Sequence, residues 1–202
     1  MELAFFLERG PLVLHSSDFS KELLTQPAAI RPMLLSAPWL RVALRDLGVN
    51  ERNLEDTAKI SSYLQTVSCP LITLDEAGHT HITDWCSGFV NNCMKRAYIQ
   101  GTHAPNARSW MRWGYGVTIP RLGDVTVFWR VKGKDTSSFG HVGFFIRYSG
   151  PDHLIILGGN QHMSVSFARL PINKNGPGKG GAHIGLLGFR GNYQTAIAGE
   201  SA

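Results

Sequence analysis

Apolar residues along this chain keep two rhythms, a helical one of three and four between residues 36 and 98 and a strand-like one of two beyond residue 124. Trp39, Leu40, Ala43, Leu44 and Leu47 stand at helical spacing behind Ser36, a capping residue, and Pro38, which suits a first turn; Gly48 ends the run. Asn53 opens a second helical pattern through Leu54, Ala58, Ile60, Tyr63, Leu64 and Val67, stopped by Pro70. After a connection over 68–82, Cys86, Phe89, Val90, Cys93, Met94 and Ala97 form one stripe of a third helix over 84–98, with Thr83 as its candidate cap. A polar, glycine-rich passage over 101–122 follows. Val125, Val127, Trp129 and Val131 then alternate on one face of a strand. Further strands are expected over 141–147, 153–157, 163–167 and 184–189, separated by turn residues at 149–152 and by the loop 173–181.

Helices followed by an antiparallel sheet predict an α+β fold, with the N-terminal helices packed on the sheet. The expected organisation is an irregular segment over 1–35, a single domain over 36–190 and a tail over 191–202. Of the 202 residues 43% are hydrophobic and 17% charged, a balance that supports a buried core and excludes disorder. The net charge of +5 favours polyanions such as nucleic acid, anionic lipid or acidic wall polymers. No basic, aromatic-interleaved motif accompanies it, so nucleic acid is not an expected partner. No apolar run approaches the ~18 residues that span a bilayer, which argues against stable membrane insertion. Met1–Gly10 holds a short apolar run flanked by Glu2 and Glu8, where a secretory signal needs a basic start, so synthesis in the cytoplasm without a signal peptide is expected.

The chain has three cysteines, too few and too odd a number for a disulfide framework. On a helix Cys86 and Cys93 would lie about 10 Å apart along the axis, beyond the reach of a disulfide. Their spacing lacks the form of a zinc site, so no metal and no cofactor is expected. Cys93 reads as core. Cys86 stands in the first turn, where free N–H groups and the helix dipole favour a thiolate; the plain alternative is a buried thiol that happens to lie there. His141 opens a strand behind Gly140. If 141–147 and 154–160 form a hairpin, Asn160 comes level with His141, where its amide oxygen would fix the tautomer of the ring. Singly each residue has a structural explanation; together Cys86, His141 and Asn160 have the order and placement of nucleophile, base and orienting group.

The segments that carry these residues, Cys86-Ser87-Gly88-Phe89-Val90, Gly123-Asp124-Val125, Gly140-His141-Val142-Gly143 and Gly158-Gly159-Asn160-Gln161, resemble the papain-like cell-wall amidases and peptidases of bacteria and phages, the CHAP and NlpC-type groups. The opening Pro38-Trp39 to Gly48, with Glu51 beyond, is similar to that of one subgroup. The resemblance implies a papain-like arrangement and a cysteine hydrolase that cuts amide bonds of peptidoglycan, with Cys86 as nucleophile, His141 as base and Asn160 as orienter; His162 is a substitute for the third role. Trp85, Gln161 and Trp113 are candidates for binding substrate, with Trp110 and Tyr115 as further aromatics of a groove. The implied setting is an antibacterial effector exported to the periplasm or cell wall of a target bacterium, with secretion machinery and an immunity protein as partners. The alternatives are a phage endolysin and a thiol deamidase or transglutaminase acting on proteins.

Overall fold

Proline in the first turn and an apolar stripe make Pro38–Arg45 a helix, α1, which buries Trp39, Leu40, Val42, Ala43 and Leu44. The computed structural model of the chain describes residues 37–74, 78–131, 139–173, 175 and 183–192. The expected cap Ser36, the N-terminal segment 1–35, most of the loop 173–181 and nearly all of the tail lie outside them. Gly48 leaves α1 at φ +93°, a left-handed turn that a side chain would resist. A short 3₁₀ turn, Leu54–Asp56, leads into α2, Thr57–Gln65, whose Ile60, Tyr63 and Leu64 face inward.

The third helix, α3, spans Cys86–Arg96 and begins later than the pattern suggests: Trp85 takes the cap position and the thiol sits on the first helical residue. Thr83 does not cap. Its hydroxyl donates to the Pro70 carbonyl at 2.7 Å, tying the helix entry back to the end of the preceding connection. That connection is also more ordered than expected, for Ile72–Leu74 (β1) and Thr80–Ile82 (β2) pair antiparallel. Three-residue strands leave too short an alternation to read. The same reason hides the 3₁₀ turn Ala107–Arg112 and the strand Tyr115–Val117 (β3) within the glycine-rich passage.

Five longer strands follow: β4 (Val125–Arg130), β5 (Gly140–Tyr148), β6 (His153–Gln161), β7 (Ser164–Pro171) and β8 (Ile184–Gly191). With β3 they make one antiparallel sheet in the order β3-β8-β4-β5-β6-β7. The architecture is α+β, as the pattern predicts. Val125–Trp129 are buried on both faces of β4, not on one. Val125, Val127, Val142, Phe144 and Leu157 join the helices in the main core, while Phe128, Phe145, Ile156 and Phe189 form a second cluster.

A carboxylate joins the three helices. Asp46, buried after α1, accepts from the Tyr63 hydroxyl of α2 at 3.1 Å and pairs with Lys59 of α2 at 3.0 Å and with Arg96 of α3. Two glycines set how closely α3 packs. A Cβ on Gly88 would stand 2.9 Å from the Tyr63 carbonyl oxygen, and one on Gly159 would stand 2.6 Å from Phe89 Cβ and 2.7 Å from the Trp85 ring. Gly159→Ala therefore forces β6 away from the start of α3. We expect it to lower stability by about 2 kcal/mol in chemical denaturation, the ordinary cost of overpacking a tight contact; an unchanged midpoint would show that the contact relaxes freely.

Candidate active site

Cys86 reaches the sheet where two strands part. The ladder between β5 and β6 ends at Phe144↔Leu157, so the start of β5, from Gly140 to Gly143, has no ladder partner on β6, although Gly143 still lies against Leu157 and Gly158. The first turn of α3 packs there against both strands. The thiol is buried, and the backbone N–H groups of Val142 and Ser87 point at its sulfur. Val142 follows His141 directly, so the sulfur of Cys86 lies against the peptide unit that joins the two.

His141 is buried and its Nε2 lies 3.2 Å from Oε1 of Gln161. The amide of Gln161 is held from its other end: Nε2 donates to the carbonyl of Gly158 at 3.2 Å and to that of Ser166. With its NH₂ committed to two carbonyls, Gln161 presents an oxygen to the ring, so His141 Nε2 carries the proton and donates it. In the neutral ring Nδ1 then keeps its lone pair.

The expected partner, Asn160, does not orient His141. Continuing the register from Phe144↔Leu157 would set His141 opposite Asn160, as the hairpin reading has it. But Asn160 adopts a left-handed φ of 57°, and the ladder between β6 and β7 shifts register between Gly158 and Gln161. That break ends the alternation, so the next residue faces the histidine. Asn160 instead donates from Nδ2 to Oδ1 of Asp84 at 3.0 Å. Gln161, expected to bind substrate, is buried behind the ring. His162, the substitute, is exposed in the turn between β6 and β7.

That turn is made by His162 and Met163, both left-handed at φ 51° and 67° without being glycine. The chain after α1 pins it: Glu51 N–H donates to the Met163 carbonyl, Gly48 N–H to Val165, and Val165 N–H to Val49. The Glu51 side chain also accepts from Trp85 Nε1 at 2.9 Å. Trp85 is therefore core and not a substrate contact. It is fully buried and stacked on Tyr63, ring centroids 5.7 Å apart. Trp110 is likewise buried, its Nε1 donating to Ser87 Oγ at 3.0 Å. Trp113 keeps partial exposure with its Nε1 bonded to the Gln100 carbonyl, and Tyr115 fills the space beside Gly191.

Burial governs the electrostatics. It pushes the Cys86 thiol up to about 11, helped by the nearby Asp84 carboxylate and opposed by the N–H groups of Val142 and Ser87 and by Arg130. It pulls His141 down to about 4, with Gln161 and Asp84 opposing and Arg130 assisting. At neutral pH Cys86 is thus a thiol and His141 a neutral imidazole. Cys93, deeper in α3, is also raised by burial. Among the described residues no His, Cys, Asp or Glu cluster could hold a metal ion, and no helix is long and apolar enough to cross a membrane.

Residues 77–160, from the β1–β2 hairpin through Cys86 and His141 to Asn160, match the family model of the CHAP domain. This part of the chain is similar to CHAP domains, and the match points to a hydrolase acting on peptidoglycan as an amidase or peptidase. The match does not extend to the NlpC-type group. No curated protein matches the chain.

Because the thiol is raised and His141 lowered, alkylation of Cys86 by iodoacetamide is expected to climb with pH through the range 8 to 10, with no plateau near pH 6. A rate already maximal at pH 6 would reveal a thiolate–imidazolium pair instead. His141→Gln should leave the alkaline rise in place.

Proposed function

We propose that the protein is a cysteine-dependent peptidoglycan hydrolase in which Cys86 attacks, His141 carries the proton and Gln161 positions the ring. The observation that supports this reading best is the fixed tautomer: the Gln161 amide, tied down by two carbonyls, leaves Nδ1 of His141 with its lone pair, and the peptide N–H that follows His141 points at the Cys86 sulfur. Substrate supplies an amide carbonyl. As sulfur bonds to its carbon, Nδ1 takes the thiol proton, and the N–H groups at the start of α3 stabilise the negative oxygen. The imidazolium then gives its proton to the departing amine, and water, deprotonated by His141, releases the acyl group and restores the thiol. For its setting we retain an antibacterial effector acting in the periplasm, with an immunity protein as partner; the charge of +5 suits a wall rich in anionic polymer.

Isolated peptidoglycan incubated with the protein should release soluble fragments, and Cys86→Ala should release none. Gln161→Leu is expected to lower kcat about 100-fold, the worth of a correctly held base, while Asn160→Ala stays within a few-fold of wild type. The reverse ranking would return the orienting role to Asn160. Targeting the protein to the periplasm of a bacterium should cause lysis that Cys86→Ala does not; survival with the wild type would remove the effector setting.

Activity should also follow the proton on His141. The lowered value means that the base is lost only in acid: kcat/KM is expected to fall as pH drops through about 4 and to hold from about 5 into the alkaline range. An acid limb centred near 6.5 would show an imidazole open to water.

A further inference from the structure

Ser87, the residue after Cys86, is fully buried, and its hydroxyl is used twice. It donates to the Ala104 carbonyl at 2.7 Å and accepts from Trp110 Nε1 at 3.0 Å. One turn further along α3, Asn91 is buried too. Its Nδ2 donates to the Ser87 carbonyl at 2.9 Å and to Thr102 Oγ1 at 3.3 Å, while its Oδ1 accepts from the His103 N–H at 2.8 Å. Thr102 Oγ1 accepts in turn from Ser109 Oγ at 3.1 Å. Gly101 lets the chain pass so near, since a Cβ there would run into Asn91 Oδ1. Buried hydroxyls and amides that satisfy one another in this way fix a single geometry.

The same passage also reaches the histidine strand. It runs on into the 3₁₀ turn Ala107–Arg112, where Arg108 Nε donates to the Phe139 carbonyl at 2.8 Å, two residues before His141. Gly140 makes room for this arm, because a Cβ there would stand 3.1 Å from Arg108 Cγ. The passage from Gly101 to Arg112 is thus bonded to the first turn of α3 at one end and to the entry of β5 at the other.

Resting on the hydrolase reading above, we propose that this passage sets the thiol against β5, with Ser87 and Arg108 as positioning residues and Thr102 as the link between them. The two N–H groups that point at the Cys86 sulfur belong to Ser87 and Val142. Ser87 is held through its hydroxyl, and Val142 through Phe139, three residues ahead of it. Both N–H groups oppose the burial that keeps the proton on sulfur, so losing their aim makes the thiol harder to ionise.

Iodoacetamide alkylation of Cys86 in the full chain tests this without substrate, because the two explanations of Ser87 move the rate in opposite directions. If Ser87 only supports the fold, Ser87→Ala admits water to the thiol, relieves its burial and speeds alkylation. If Ser87 aims its N–H, the thiolate loses a donor. We expect the second: alkylation at pH 9 slows about threefold, and the alkaline rise moves to higher pH. Thr102→Val and Arg108→Met break the passage away from α3 and should shift the profile the same way; they carry the test where Ser87→Ala does not fold. On solubilised peptidoglycan each variant should lower kcat about tenfold, the scale of one buried hydrogen bond, with KM within about twofold of wild type. Alkylation unchanged or faster in Thr102→Val and Arg108→Met, or a raised KM with kcat kept, would overturn the positioning role. A wild type that releases nothing from peptidoglycan would instead remove the hydrolase reading, and the alkylation rates would still decide what the passage does to the thiol.

Discussion

The approach of β6 to the start of α3 at Gly159 is the contact on which the site depends. With no side chain there, the strand comes within van der Waals reach of Phe89 and Trp85, and the helix can lie across the place where β5 and β6 separate. That position carries Cys86 to the peptide unit after His141. It also forces β6 to turn. Gly159 meets the helix, Asn160 goes left-handed, and the side chain of Gln161 reaches the imidazole.

Three left-handed residues in four, none of them glycine, cost conformational energy that neighbouring structure must offset. The stretch from Gly48 to Glu51 does so. Its backbone bonds to Met163 and Val165 hold the turn, and its Glu51 carboxylate holds Trp85, the residue before the nucleophile. One short segment thereby braces both sides of the site. Trp39 extends the brace to the sheet, its Nε1 donating to the Gly123 carbonyl at 2.7 Å.

Helices with a sustained apolar stripe and strands of five or more residues were legible because burial imposes a period on them. The placement of Cys86 and His141 at element starts was legible for a related reason: one opens a helix and the other stands at the head of a strand, and ends of elements carry local signals. The hydrogen-bond partner of His141 was not. Asn160 and Gln161 differ by one position, and the hairpin register alone favours Asn160; only the backbone break, set by a packing contact with a helix some seventy residues earlier in the chain, selects Gln161. Trp85 misled in the opposite direction, since adjacency to a nucleophile in sequence says nothing about which way an indole points.

The uncharged amide behind His141 has a kinetic consequence. A carboxylate in that place would lower the energy of the protonated ring and let it persist, whereas the neutral Gln161 only partly offsets the burial that pulls the ring down to about 4. In the proposed cycle the imidazolium is a fleeting species and a strong acid. It is driven to discharge its proton, and the same burial that makes the thiol hard to ionise thereby helps to protonate the amine that must leave.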